Sequence, residues 1–170
     1  MEYEIISIDE VSFQLATNYK RIWFEKGKTP KGAFFWSNKK LTVFGAQREN
    51  QKLFYEIHIA QNSMVFLAFL NGLFDELDKS KKYLLILDNA AWHKTQVVKN
   101  RLEQHKEWIK VESIPPYSPE LNPIETNWKI TRNAVTKSRF FKTIEEMQEA
   151  LENFWSKHIF TQKFTKYLCR

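Results

Sequence analysis

The sequence predicts an α/β fold in which a mixed central sheet carries helices on both faces. Three observations lead there. The N-terminal third holds several short β-rich runs separated by polar turns, and residues 83–87 form the nearly continuous apolar run YLLIL. Beyond that run, helical and strand-like patterns alternate. A run like YLLIL suits a strand buried on both faces at the middle of a sheet. Helices that follow central strands can cover both sides of it.

The elements follow in order. Residues 4–8, EIISI, read as a strand ending at Asp9. IWF at 22–24 is a short strand before the turn-rich EKGKTPKG. LTVFGA at 41–46 and LFYEIHI at 53–59 complete an antiparallel meander. Asn62 or Ser63 caps a helix running to about Leu77, with Phe66, Leu67, Leu70, Leu73, Phe74 and Leu77 at helical spacing. YLLIL is the central strand. A helix over 94–106 and a strand over 108–114 come next.

PPYSPELNP at 115–123 contains four prolines and excludes regular structure. Proline fixes φ and pushes its preceding residue out of the helical region, so this loop is stiff. A helix begins near Pro123, with Asn122 placed to cap it and Ile124 and Trp128 on its apolar side. The last helix spans about Thr143 to Ser156, and Thr143 with Glu146 has capping-box spacing. The basic segment 160–170 remains unassigned.

With 170 residues, 43% of them apolar, the chain suits one domain with a real core, taken as 1–170. The 26 Lys+Arg against 20 Asp+Glu give a formal charge of +6, which favours a polyanionic partner. The N-terminus MEYEIISIDEVSF is not a signal peptide, and the longest apolar stretch, MVFLAFL, is far short of a membrane span. A lone Cys169 and scattered histidines argue against a structural zinc site and for an intracellular chain. No cofactor-binding motif is present.

Three acids stand out by position. Asp9 follows EIISI, Asp88 follows YLLIL, and Glu125 opens the helix after the proline loop. Ligands gather at the carboxyl ends of sheet strands. If 4–8 and 83–87 are neighbours, Asp9 and Asp88 face each other there and Glu125 reaches in. Hard cations such as Mg²⁺ take such oxygen ligands. Strand-end Asp and first-turn Glu also serve as ordinary turn and helix-dipole residues, so spacing alone leaves both readings open.

The surrounding residues add to this. LLILDNAAWHKT at 84–95 and IPPYSPELNPIETNWKITR at 114–132 closely resemble two signature blocks of mariner-type transposases, especially the bacterial and archaeal insertion-sequence branch. RIWFEKGKTP at 21–30 resembles that family's tryptophan-containing hairpin. The resemblance spans about residues 5–150 and implies a ribonuclease-H-like fold. It also implies an Asp-Asp-Glu (DDE) triad at Asp9, Asp88 and Glu125 holding two Mg²⁺ ions, with Mn²⁺ as a substitute. The implied activity is hydrolysis and strand transfer at transposon ends. The implied partners are double-stranded DNA, both transposon ends and target, and a second copy of the chain.

Two departures accompany the resemblance. Asp88 and Glu125 are separated by 36 residues, slightly more than in the best-known eukaryotic members. Asp9 also arrives almost at once, without the N-terminal helix-turn-helix modules of full transposases. That suggests a catalytic fragment or one half of a split transposase with a separately encoded helix-turn-helix partner. A prokaryotic cytoplasmic protein, associated with the nucleoid when bound to DNA, is expected, with no membrane partner.

Secondary roles follow. Asn89 is expected to orient Asp88, contact phosphate or bond a turn, and His93 to line the site near the scissile phosphate or bond backbone at a helix start. Tyr117 and Ser118 are candidates for DNA-backbone contact. Lys94, Lys129 and Arg132 are candidates for phosphate contact, which positions DNA without reading its sequence. Trp128 reads as a core anchor. The competing functions are a catalytically silent remnant or domesticated DNA- or protein-binding domain, and a ribonuclease H or junction-resolving nuclease of the same fold.

Overall fold

The computed structural model describes residues 3–16, 25–27, 36–116, 118–137 and 139–168. Strands β1 (Glu4–Ala16), β2 (Trp36–Arg48) and β3 (Phe54–His58) come first, then helix α1 (Ser63–Glu76). Strand β4 (Tyr83–Leu87), helix α2 (Gln96–Glu103), strand β5 (Ile109–Ser113) and helices α3 (Ile124–Thr131), α4 (Ile144–Lys157) and α5 (Thr165–Leu168) follow. The sheet order is β3-β2-β1-β4-β5. β1 to β3 form the antiparallel meander, whereas β1–β4 and β4–β5 are parallel and need the helical crossovers.

Period-two alternation along β1 divides the interior into two cores. Ile6 and Ile8 pack with Phe66, Phe69, Leu70, Phe74 and Val98 on the α1/α2 side. Val11, Phe13 and Leu15 pack with Ile124, Trp128, Met147, Leu151 and Trp155 on the α3/α4 side. Both faces of the sheet are therefore covered by helices, as the pattern of elements predicts.

Several boundaries differ from expectation. β1 does not stop at Asp9 but runs on to Ala16, because Val11, Phe13 and Leu15 supply the second core. β2 extends to Trp36–Arg48 through its long pairing with β1. The helix expected over 94–106 is shorter: a 3₁₀ turn, Ala91–Lys94, precedes Thr95, whose extended backbone (ψ 154°) separates it from α2. The strand expected at 22–24 lies outside the described residues, as does most of the hairpin segment 21–30.

Caps at two helix starts match the sequence. Asn62 Oδ1 accepts the N–H groups of Met64 and Val65, and Thr143 Oγ1 accepts that of Glu146. Asn122 does not cap α3 through its side chain, which instead crosses to β1. After Thr131 the α3 helix widens into a π turn over Arg132–Thr136. Among the described residues, no helix is long and apolar enough to cross a membrane.

Candidate active site

Parallel pairing of β1 and β4 sets Ser7 opposite Ile86. Two residues further along each strand, that register reaches Asp9 and Asp88. Asp9 thus sits inside β1, where the pairing with β4 has ended, and Asp88 just past the end of β4. The proline loop then brings Glu125 to the same place. Asp9, Asp88 and Glu125 line one cleft of about 380 Å³ with Asn89, Ser118 and Asn122.

The loop is tied down by residues distant in sequence. The Ser7 hydroxyl donates to Asn122 Oδ1. Asn122 Nδ2 approaches the Ile8 carbonyl at 3.4 Å, and the Ile124 N–H donates to Ser7 Oγ at 3.2 Å. The hydroxyl of a strand residue therefore takes an N–H at the start of α3, the position expected for an Asn122 cap. Asn127 Nδ2 adds a 2.9 Å bond to Gln47 Oε1 on β2. All of Ser7, Gln47, Asn122 and Asn127 are buried, so these bonds satisfy groups that would otherwise be costly to desolvate.

Asp9 is held from the α3 side. Trp128 Nε1 donates to Asp9 Oδ2 at 3.0 Å. The indole reaches that oxygen by lying over Gly45, the β2 residue paired with Asp9. A Cβ on Gly45 would come within 2.5 Å of Trp128 Cη2, so only glycine leaves room for the indole. Burial above all, then the negative charges of Glu125 and Glu10, push the Asp9 carboxyl up to about 8, against the lowering effect of the Trp128 hydrogen bond.

Asp88 has the opposite electrostatics. Its hydrogen bond with His93 holds its pKa below the usual value despite partial burial, helped by the Ala90 N–H and nearby Lys94. His93 Nδ1 lies 3.0 Å from Asp88 Oδ1, and Nε2 lies 2.8 Å from Glu10 Oε1. Burial alone would lower the imidazole pKa, but these two carboxylates raise it to about 9. His93 thus lies buried behind Asp88, bonded to it rather than lining the cleft.

Other sequence candidates fall into two groups. Asn89 lines the cleft and its Nδ2 donates to the Ile114 carbonyl at 2.6 Å, fastening the end of β4 to the segment after β5. Ser118 also lines the cleft, and Lys94 is exposed on the 3₁₀ turn. Lys129 and Arg132 line a second, basic cleft of about 540 Å³ with Ser12, Phe13, Gln14, Asn133, Thr136 and Lys137. Tyr117 lies outside the described residues.

Sequence reasoning does not reach Glu10, Gly45 or Ser7 as site residues. In the sequence Glu10 is only an acid near an element end. Its partner His93 stands 83 positions away, and the only local signal for Gly45 is a glycine within an otherwise apolar strand. Among the described residues, Glu10, Asp88 and His93 bring ligand atoms within 4.8 Å of one another. Asp9, Asp88 and Glu125 line one cleft without being drawn that close together.

Comparison with known proteins agrees with this architecture. Residues 4–148 match the family described as DDE superfamily endonuclease. The chain is 33% identical over 81 residues to an uncharacterized protein of Sinorhizobium fredii (strain NBRC 101917 / NGR234), covering 48% of this chain and 56% of that protein. It is 22% identical over 154 residues to the insertion element IS630 uncharacterized 39 kDa protein of Shigella sonnei, covering 90% and 45%. The chain therefore spans about half the length of these curated relatives.

Among solved structures, the Mos1 transposase paired-end complex with left transposon end superposes with a TM-score of 0.74 at 17% identity, over 98% of this chain and 51% of that one. The catalytic domain of Mos1 mariner transposase gives 0.65 at 16% identity, over 98% and 74%. The shared fold is the ribonuclease-H-like fold of a transposase catalytic domain. By the extent of the family match, this chain belongs to the DDE superfamily endonucleases.

Proposed function

We propose that this chain is the catalytic core of a DNA transposase, cleaving phosphodiester bonds at transposon ends and joining the 3′-hydroxyl to target DNA. The observation that carries this reading is the meeting of Asp9, Asp88 and Glu125 in one cleft, from three elements far apart in sequence. These are the proposed metal ligands and catalytic residues.

The donor set fits Mg²⁺, with Mn²⁺ as a substitute. It offers carboxylate oxygens, which hard cations prefer. Burial raises the Asp9 pKa most, and a cation would offset the negative charges of Glu125 and Glu10 that raise it further. The Mos1 paired-end complex is known with Mn and with Mg, which supports the same choice here. Two bound ions would supply an activated water or 3′-hydroxyl and charge stabilisation at the leaving oxygen.

The chain's own residues have separate tasks. Trp128 and Gly45 hold Asp9 in place, the Ser7–Asn122 tie sets the entry of α3 and so Glu125, and Asn89 keeps the strand end at Asp88 closed against Ile114. The basic cleft gives double-stranded DNA a path. β4 pairs with β1 only through Ser7, so the edge of β1 beyond Asp9 lacks β4 as a neighbour. Lys129, Arg132 and Lys137 line the cleft beside Ser12 to Gln14. Ser12 lies three residues beyond Asp9, about 10 Å along an extended strand. Arg132 lies seven residues beyond Glu125, also about 10 Å along a helix. Backbone phosphates next to the cleaved one can therefore rest on these cations.

A second copy of the chain and a separately encoded helix-turn-helix module for end recognition complete the proposal, with action on DNA in the prokaryotic cytoplasm. Residues 1–170 are read as the catalytic domain alone. The test is cleavage and strand transfer on labelled, pre-nicked transposon-end DNA with Mg²⁺ or Mn²⁺. Wild type should be active, and Asp88→Ala and Glu125→Ala should each lose activity by at least about a hundredfold while remaining folded. Activity surviving in both variants would remove the triad. If wild type is inert alone, adding the helix-turn-helix module in trans should restore it.

A further inference from the structure

The reading of the acidic cleft leaves one buried carboxylate without a task. Glu10 follows Asp9 on β1 and points to the opposite face of the sheet, where its side chain is 3% exposed. A carboxylate so buried is costly unless it is well bonded. Glu10 accepts two hydrogen bonds, both on Oε1: from Trp92 Nε1 at 3.1 Å and from His93 Nε2 at 2.8 Å.

The other side of the His93 ring meets Asp88. Nδ1 is 3.0 Å from Asp88 Oδ1 and 3.4 Å from the Asp88 carbonyl. The Ala90 N–H also donates to Oδ1, at 2.9 Å. Both contacts to the carboxylate, from His93 and from the Ala90 N–H, fall on Oδ1, which leaves Oδ2 for a ligand in the cleft that Asp88 lines. The ring itself cannot swing freely, because it packs against Phe66 with centroids 4.2 Å apart and is almost wholly buried.

Each ring nitrogen already faces its own carboxylate oxygen. A cation between Glu10, His93 and Asp88 would have to replace one of these bonds, so the contacts describe a clamp rather than a metal cage. We propose that Glu10 is a positioning residue: through the His93 ring it fixes the Asp88 carboxylate, holding one oxygen and presenting the other to the cleft. This rests on the reading of that cleft as a metal site. Partners behind a metal ligand typically change metal affinity by about 10- to 100-fold when removed.

The experiment is Mn²⁺ titration of the full chain, reading free Mn²⁺ by electron paramagnetic resonance, with thermal melting as the fold control. Glu10→Leu keeps the bulk but removes the acceptor, and should weaken Mn²⁺ binding about tenfold. Glu10→Gln keeps an Oε1 that can accept from both Trp92 and His93, and should recover most of that loss. His93→Ala should match Glu10→Leu, and combining the two should add nothing further, since both act through one contact. Wild-type affinity in Glu10→Leu, a Gln variant as weak as Leu, or losses that multiply in the double variant would each overturn the clamp. If Glu10→Leu does not fold, wild-type affinity in His93→Ala overturns it equally. Wild type binding no Mn²⁺, with Asp88→Ala unchanged from it, would overturn the metal reading of the cleft and the clamp with it. Loss in Asp88→Ala beside full binding in Glu10→Leu would overturn the clamp alone.

Discussion

Two neighbouring residues, Asp9 and Glu10, carry buried carboxyl groups to opposite faces of β1, and their environments set different tasks. Asp9 has a folded-state pKa raised from 3.8 to about 8, chiefly by burial. The folded chain then binds one more proton than the unfolded chain between those values, so metal-free stability falls as pH rises through that window. Asp9→Asn does not titrate and should remove this loss. Its melting temperature should exceed that of metal-free wild type by on the order of 5 °C above pH 8, with the difference shrinking toward pH 4. A difference independent of pH would contradict the raised pKa. Divalent metal favours the ionised carboxylate, so Mn²⁺ affinity of wild type should rise with pH up to about 8 and then level off. Gly45 is the other decisive single position. Gly45→Ala forces the buried Trp128 indole to shift, and should cost about 1–3 kcal/mol in a denaturant melt while breaking the hydrogen bond to Asp9.

At the scale of elements, α3 links both clefts. It starts under the Ser7 hydroxyl at the acidic cleft, and its Lys129, with Arg132 just past its end, lines the basic one. Removing both cations with Lys129→Ala and Arg132→Ala should weaken DNA binding at low salt about equally for all sequences. It should also reduce the slope of log affinity against log salt by about 2, one for each phosphate that is no longer neutralised. An unchanged slope would show that DNA takes another path. The tie between β1 and the proline loop gives a separate prediction. Ser7→Ala leaves Asn122 Oδ1 and the Ile124 N–H without their partner in a buried setting, and should cost about 1–3 kcal/mol in chemical denaturation. Four prolines stiffen the loop locally, but its direction into the cleft depends on this hydrogen bond between residues 115 positions apart in sequence.

For the whole molecule, the parts legible in the sequence were those written in local patterns. YLLIL announced β4, Asn62 and Thr143 announced two helix starts, and helical spacing announced the apolar face of α1. Asp9, Asp88 and Glu125 stood out because each flanks such an element. The continuation of β1 was also readable, since VSFQLA alternates apolar and polar residues, yet a strand ending at Asp9 hid it. What could not be read locally depends on long-range pairing. The Asn122 side chain looked like a helix cap until β1 supplied Ser7, and His93 looked like a site-facing group until Glu10 met its far nitrogen. The two cores on opposite faces of one sheet then explain why a single strand can serve both the acidic cleft and the clamp behind it.

The central claim is that Asp9, Asp88 and Glu125 act as one metal-binding unit. Anomalous diffraction at the manganese edge, from crystals of this chain soaked in Mn²⁺, tests it most directly. The account predicts density in the cleft between those three carboxylates, with the His93 ring still bonded to Glu10 and Asp88. Density between Glu10, Asp88 and His93 instead, or none near Asp9 and Glu125 at saturating Mn²⁺, would contradict it.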